Sequence, residues 1–231
     1  MTSAPTRSDS VRNQKTALLV LGIVAAVAIG FALGFLTRTT VFSGGDSAPA
    51  ADSVDVGFAQ DMSVHHNQAI DMSAVALTNA ADPLVRNLAF DMLTSQQNQV
   101  GQMQGWLAIW DRAPLGTDGY MGWMAGDEHA HSMTSMTSDE GGPVEAMPGM
   151  ASTEELAALR AATGPQVDVM FLQLMLRHHE GGLSMIEYAA SRAETPALVR
   201  LAESMMSTQE SEATLMKQML AERGSEPLPS S

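Results

Sequence analysis

Residues 58–80, FAQDMSVHHNQAIDMSAVALTNA, recur in altered form at residues 171–193, FLQLMLRHHEGGLSMIEYAASRA. The offset of 113 positions holds without a gap, so that residues 58–106 align with residues 171–219. In this alignment 14 of the 49 positions are identical, and Met, His, Gln and Ala account for most of the identities. Self-similarity of this kind indicates one structural unit that is used twice.

Each unit is predicted to be a hairpin of two long helices. Asp82-Pro83 and Thr195-Pro196 combine a good N-cap residue with proline at the first helical position. An apolar-periodic run precedes each proline and another follows it, the runs ending near Trp110 and at Arg223-Gly224. The low aromatic content, 5%, also favours helices over strands. The sequence therefore predicts an all-α four-helix bundle with pseudo-twofold symmetry.

The region between the two hairpins is predicted to differ from them. Ser152 and Glu155 form a capping-box pattern, which predicts a short extra helix over residues 152–162, and Gly164-Pro165 then opens the next helix. Residues 111–151 are rich in Gly, Ser, Thr, Met and acidic residues and show no sustained period. We expect them to form a long crossover loop that is poorly ordered without a ligand.

An apolar stretch near the N-terminus predicts a membrane anchor. Residues 17–36, ALLVLGIVAAVAIGFALGFL, carry no charge and would rise about 30 Å as a helix. Arg7, Arg12 and Lys15 precede this stretch, so the positive-inside rule keeps the N-terminus in the cytoplasm. A cleavable signal peptide is the alternative, although its apolar segment is usually only about 7–15 residues long. Both interpretations export the rest of the chain.

The expected organisation has seven segments, and its charge is uneven. The segments are a cytoplasmic N-terminus at 1–16, a transmembrane signal-anchor helix at 17–36, a flexible tether at 37–53, the first helical hairpin at 54–110, a Met/His-rich crossover loop at 111–151, the short helix and second hairpin at 152–224, and a tail at 225–231. After residue 38 the chain has 8 basic and 25 acidic residues. Such a domain repels nucleic acid and attracts cations, so nucleic-acid binding is excluded.

Two His-His pairs at equivalent positions carry the most specific chemistry, and each lies among methionines. Successive helical residues are 100° apart, so Met62 shares a face with His66, while His65 and Met72 lie on the adjoining face. In the second repeat, Met175 likewise shares a face with His179, while His178 and Met185 lie on the adjoining face. The candidate metal ligands are therefore Met62, His65, His66, Met72, Met175, His178, His179 and Met185, together with His129 and His131 in the crossover loop.

The sequence leaves open whether the two sets of ligands meet in one place or form two equivalent sites. The second helices carry matching stripes, Met92-Gln96-Gln99-Met103 and Met205-Gln209-Glu212-Met216, whose methionines are expected to fill the core. Further methionines in the crossover loop are expected to help capture a metal ion.

The donor types favour copper. The chain has no cysteine, which excludes disulfides and thiolate sites. Thioether and imidazole ligands together suit Cu(I), and imidazole with carboxylate suits Cu(II), whereas zinc rarely takes methionine. Neither His pair has a glutamate at the Glu-x-x-His spacing of di-iron bundles. No nucleophile–base arrangement stands out, so we expect binding and not catalysis.

The repeats and the segment beginning MPGM at residue 147 resemble the bacterial family called domain of unknown function 305, over residues 54–223. The resemblance implies a ferritin-like fold and an exported location, and for some members copper binding linked to copper tolerance. It carries copper ligation over to the eight bundle residues named above. The first repeat departs from the pattern at Asn67-Gln68, where the second has Glu180-Gly181. We therefore expect the two halves to differ in affinity.

The expected function is copper binding, chiefly of Cu(I) and also of Cu(II), on the outer face of the cell membrane. The protein would sequester copper or deliver it to an exported cuproenzyme. An alternative is an accessory or docking subunit of a membrane complex, for example a respiratory one, in which the methionines serve only as packing. A ferritin-type redox enzyme is a third hypothesis, which the shortage of Glu-x-x-His argues against.

Overall fold

The computed structural model describes residues 48–125 and 142–229. These belong to one compact unit. The predicted membrane anchor at 17–36, the N-terminus before it, and His129 and His131 lie outside the described residues. Within the described residues, no helix combines the length and the apolar character that crossing a membrane requires.

The described part of the chain is all-α, as the sequence predicted. It contains five α-helices and one turn of 3₁₀ helix. In chain order they are α1 (Val54–Asn79), α2 (Pro83–Ile109), the 3₁₀ turn (Gly122–Met124), α3 (Thr153–Ala161), α4 (Pro165–Arg192) and α5 (Pro196–Glu222).

Capping geometry confirms the predicted helix starts at Asp82 and Ser152, whereas Thr195 before α5 makes no side-chain capping hydrogen bond. Asp82 caps α2 by accepting a hydrogen bond from Leu84 N at 2.8 Å, and Pro83 follows as the first helical residue. At the start of α3, Ser152 and Glu155 form the reciprocal capping box. Helix α5 ends just before Gly224, whose φ of 62° is the left-handed conformation that glycine adopts most readily.

Two hairpins, α1 with α2 and α4 with α5, pack against each other through α1 and α4. Two buried aspartates, 113 positions apart, join them reciprocally. Asp168 in the first turn of α4 accepts hydrogen bonds from the backbone N–H groups of residues 81 and 82, in the turn of the first hairpin. Asp55 in the first turn of α1 does the same for residues 194 and 195 in the second. The hydrogen bonds therefore follow the pseudo-twofold symmetry of the sequence.

The core has two apolar clusters, and each takes methionines from both repeats. The buried methionines of the first cluster are Met72, Met92, Met175, Met216 and Met219. Those of the second are Met62, Met103, Met147, Met185 and Met205. The stripe methionines expected in the core are indeed buried. Burial of one such side chain stabilises the fold by about 1.5–3 kcal/mol.

The described ends of the crossover loop pack on the bundle, so the expectation of a poorly ordered loop is wrong for them. Tyr120 and Val144 exchange two backbone hydrogen bonds, of 2.9 and 2.8 Å. The indole of Trp123 lies against Gly57 of α1, where any Cβ would collide with the ring. Asp61 of α1 accepts hydrogen bonds from Trp123 Nε1 and from the backbone of Met121. Gly57 and Asp61 lie on a helix some 60 residues away from the loop residues that they contact. The sequence of the loop alone therefore cannot reveal these contacts.

Candidate metal centre

The four bundle histidines lie together in a polar layer across the middle of the bundle. All four are buried. The rings of His65 and His178, one from each repeat, have centroids 3.8 Å apart, and His66 and His179 lie 6.5 and 6.4 Å from their sequence neighbours. The helices α1 and α4 thus bring the two His-His pairs to one place. The two sets of candidate ligands therefore meet in one layer, which has two symmetry-related halves.

Each imidazole has its Nε2 atom held by an oxygen acceptor. His66 donates to Gln99 Oε1 at 2.8 Å, and His179 to Glu212 Oε2 at 2.7 Å. The other two donate to backbone carbonyls: His65 to Pro148 O at 3.2 Å, and His178 to His65 O at 3.0 Å. A proton on Nε2 leaves the lone pair on Nδ1, and this arrangement orients metal-binding imidazoles in known sites.

Several buried acceptor atoms in this layer have no partner. Among the described residues, the buried side-chain atoms without a hydrogen bond are Nδ1 of His65, His66 and His179, Oε1 of Gln96 and Gln209, Ser73 Oγ and Arg177 Nε. A buried polar atom left unsatisfied costs about 1–3 kcal/mol. Five of the seven atoms present a lone pair from the histidine and glutamine positions of the repeat. A cation is the kind of ligand that such a set accepts.

Burial keeps His65, His66 and His178 neutral. It lowers the pKa of His65 to about 4 and that of His66 to about 3, more than their hydrogen bonds raise them. The pKa of His178 also falls well below its ordinary value, because of burial first and the neighbouring histidines second. Neutral imidazole is the metal-binding form, so these three side chains need lose no proton to bind a metal ion at neutral pH.

The predicted methionine ligands flank the polar layer in pairs that cross the repeats. Met62 and Met185 are buried in one apolar cluster, and Met72 and Met175 in the other. The sequence grouped each pair of methionines with the histidines of its own repeat. Because α1 and α4 run antiparallel, each end of the histidine layer instead receives one methionine from each repeat.

Imidazole and carboxylate groups alone do not make a preformed metal site here. Within residues 48–125 and 142–229, no three His, Asp or Glu side chains converge closely enough to hold a metal ion. A metal in this layer would therefore draw on the methionine thioethers or the glutamine oxygens as well as on imidazole.

The segment 147–151, MPGMA, crosses the layer and breaks its symmetry. The Pro148 carbonyl reaches His65 because Gly149, with φ of 80°, lies directly against α4. A Cβ on Gly181 of α4 would lie 2.5 Å from Gly149 Cα, so only glycine admits this approach. On the other side, Gln68 of α1 binds both the N–H and the carbonyl of Ala151, at 2.7 and 2.9 Å.

The departure between the repeats at residues 68 and 181 thus has a structural reason. One connecting segment crosses the pseudo-twofold axis once, so the two equivalent positions meet different parts of it. Gln68 binds the segment, and Gly181 makes room for it.

Sequence reasoning missed the groups that orient the histidines. Gln99 and Glu212 were noted only as stripe residues, and neither Pro148 nor Gln68 was noted as a partner of the layer. A signal for the first two was present, since they occupy the same repeat position. The inter-hairpin aspartates Asp55 and Asp168 are also equivalent, and extending the self-comparison by three residues toward the N-terminus would have revealed them.

Residues 55–220 match the protein family described as domain of unknown function (DUF305). A crystal structure of a DUF305 protein from Streptomyces coelicolor, thought to be secreted, is similar at 40% identity with a TM-score of 0.67, covering 78% of this chain and 99% of that one. A DUF305 fragment from Deinococcus radiodurans shows 32% identity and a TM-score of 0.57, covering 75% and 99%.

The protein CopM has a similar fold. Its Cu(I)-bound form aligns at 23% identity and its Cu(II)-bound form at 26%, both with a TM-score of 0.52, covering 73% of this chain and 96% of CopM. No curated protein matches the chain.

Proposed function

We propose that this chain, which belongs to the DUF305 family, is a non-catalytic copper-binding protein that holds copper in the histidine layer of its bundle. It binds Cu(I) and also Cu(II), in order to sequester copper or to deliver it. Residues 17–36 anchor it in the cell membrane with the helical domain on the outer side. An exported cuproenzyme or a membrane complex is the partner to which copper would pass.

One observation carries the proposal. Three buried imidazoles have Nε2 bound to an oxygen and Nδ1 without a partner, in a layer flanked by buried methionines at both ends. If the four histidines served only for packing, nothing would explain why the same ring nitrogen has no partner in three of them. A metal ion replaces these unsatisfied contacts with bonds.

The donor set favours copper among metals. Thioether sulfur is a soft ligand that selects Cu(I), and imidazole serves both Cu(I) and Cu(II). Structural zinc sites are tetrahedral and are built from Cys, His and carboxylates, and calcium requires an oxygen shell. The copper-bound forms of CopM, a protein of the same fold, support the assignment.

The extracytoplasmic location has two supports. The first is the apolar segment 17–36 with Arg7, Arg12 and Lys15 before it. The second is the similarity to the Streptomyces coelicolor protein that is thought to be secreted. An acidic domain next to the membrane surface would concentrate cations near membrane-bound copper enzymes or exporters.

A competition titration of Cu(I) against a chromophoric chelator tests the proposal. The full-length chain is compared with a variant in which a short Gly-Ser linker replaces residues 126–141. Tyr120 and Val144 already meet at the base of this segment, so the deletion leaves the anchored loop ends in place. We expect tight binding in both proteins. Binding that disappears with the deletion would move the site to the loop, and no binding by either protein would favour the docking-subunit hypothesis.

A further inference from the structure

The two halves of the histidine layer are equivalent in position and different in charge. Gln99 accepts the hydrogen bond of His66 Nε2 at 2.8 Å, and Glu212 accepts that of His179 Nε2 at 2.7 Å. The acceptors are 113 positions apart, as the histidines are. His66 therefore donates its hydrogen bond to a neutral amide, whereas the equivalent His179 donates to a carboxylate.

The carboxylate of Glu212 acts chiefly on His179. Its side chain is 16% exposed, so water screens it only in part, and His179 is 1% exposed. The nearby cations of α4 and α5 are engaged elsewhere, since Lys217 pairs with Glu180 and Arg177 with Glu155. The negative charge is thus directed through the imidazole toward its unpaired Nδ1 atom.

The charge on the group that accepts the Nε2–H hydrogen bond changes which copper ion the imidazole prefers. A carboxylate on the outer N–H of an imidazole ligand raises the basicity of that ligand. The electrostatic attraction between the carboxylate and a metal ion on the other side of the ring grows with the charge of the ion. The carboxylate therefore stabilises bound Cu(II) more than bound Cu(I). An amide oxygen offers only a dipole. The His66 side keeps a neutral environment, which suits the lower charge of Cu(I).

We propose that Glu212 makes the His179 half of the layer selective for Cu(II), while Gln99 leaves the His66 half suited to Cu(I). The inference rests on the proposed copper function and specifies its oxidation-state preference. The centre accepts both copper ions, each at the half whose charge matches it. Glu212 and Gln99 act as positioning and tuning residues through the histidines.

The test exchanges the two acceptors in the full-length chain. Glu212→Gln removes the charge and retains a hydrogen-bond acceptor, and Gln99→Glu adds the charge on the other side. Cu(I) and Cu(II) affinities are measured separately by competition with chelators specific for each ion, and Cu(II)-loaded samples are compared by electron paramagnetic resonance. Glu210→Gln, an equal charge change at an exposed position of the same helix, is the matched control.

We expect Glu212→Gln to weaken Cu(II) binding by about 10-fold to 100-fold, the range for outer-shell partners of metal ligands, with a much smaller effect on Cu(I). Its Cu(II) resonance spectrum should also change, and Glu210→Gln should match the wild type. Gln99→Glu should tighten Cu(II) binding and leave Cu(I) binding unchanged or weaker.

Equal losses for both ions in Glu212→Gln would mean a merely structural role and would overturn the inference alone. So would unchanged Cu(II) affinity in both exchange variants. A wild-type chain that binds neither ion would overturn the copper function and this inference together. If Glu212→Gln fails to fold, the response of Gln99→Glu decides the matter.

Discussion

Buried histidines without full hydrogen bonding are a cost that the metal-free protein bears. His65, His66 and His179 each have an Nδ1 atom without a hydrogen bond in the fold, whereas water binds the same atom in the unfolded chain. The apolar clusters at both ends of the layer outweigh this cost, because they contain most of the fully buried side chains. Copper binding would remove the penalty and stabilise the folded state by mass action.

The low histidine pKa values predict acid sensitivity of the metal-free protein. The pKa of His65 is about 4 and that of His66 about 3 in the fold, against about 6.5 when unfolded. As the pH falls below about 6.5, the unfolded chain binds protons that the folded chain cannot. Each such histidine should lower the free energy of unfolding by about 1.4 kcal/mol per pH unit, until the folded pKa is reached.

Urea denaturation of metal-free protein between pH 7.5 and 4.5 measures this slope. His66→Gln removes one titrating group and retains a side chain that can donate a hydrogen bond to Gln99, so its slope should be shallower than that of the wild type. Gln102→Ala, a change without a titrating group at an exposed position of α2, is the control and should leave the slope unchanged. Parallel slopes for wild type and His66→Gln would show that His66 is not a buried neutral group.

The sequence identified the candidate ligand residues but not the groups that orient the histidines. The His-His pairs and their methionines are visible because they repeat at a fixed offset. The partners of His66 and His179 are 33 residues away on the next helix, that of His65 is 83 residues away, and that of His178 is 113 residues away. Such contacts depend on how helices pack, which periodicity alone does not specify.

At the scale of the elements, one connecting segment contacts the two equivalent helices α1 and α4 in different ways. The MPGMA segment at 147–151 lies against Gly181 on α4 and is held by Gln68 on α1. Helix starts at Pro83 and Pro196 could be predicted, because a cap and a proline are local signals. The docking of this segment could not, because it depends on a close approach between glycines 32 residues apart.

Gly181→Ala should displace the segment and disturb the centre. The new Cβ would lie 2.5 Å from backbone atoms of Gly149, which cannot move aside as a side chain would. Overpacking of this kind costs about 1–3 kcal/mol. We expect the free energy of unfolding to fall by that amount in urea denaturation, and copper affinity to fall because Pro148 no longer holds His65.

Gly101→Ala is the matched control for that variant. Gly101 lies inside α2 with open space where a Cβ would be placed. Alanine there should stabilise the protein by about 0.5–1 kcal/mol, because glycine is the poorer helix former. If Gly181→Ala were as stable as Gly101→Ala and bound copper normally, the segment would not position the centre.

At the scale of the whole molecule, charge and hydropathy predict where the protein works. The acidic residues lie almost entirely after residue 38, where 25 of them oppose 8 basic residues, and the basic residues before the apolar segment 17–36 favour a cytoplasmic N-terminus. The helical unit that begins at Ala48 would then lie outside the membrane. This placement stays a prediction from the sequence.

Fractionation of cells that express the chain tests the anchor. We expect the full-length protein in the membrane fraction, resistant to carbonate extraction, and a variant that lacks residues 1–38 in the soluble fraction. Externally added protease should digest the helical domain in spheroplasts and leave the N-terminus protected. If expression of the full-length chain instead gives a soluble protein whose N-terminus lies beyond residue 47, the N-terminal segment is a cleaved signal peptide.

The most direct test of the account is a Cu(I) competition titration of two double variants of the full-length chain. His66→Ala with His179→Ala removes one buried imidazole from each half of the layer, and His129→Ala with His131→Ala removes both histidines of the crossover loop. Far-UV circular dichroism checks that both remain folded. We expect the first variant to lose most high-affinity Cu(I) binding and the second to bind like the wild type. The opposite result, with binding lost only in the loop variant, would contradict it.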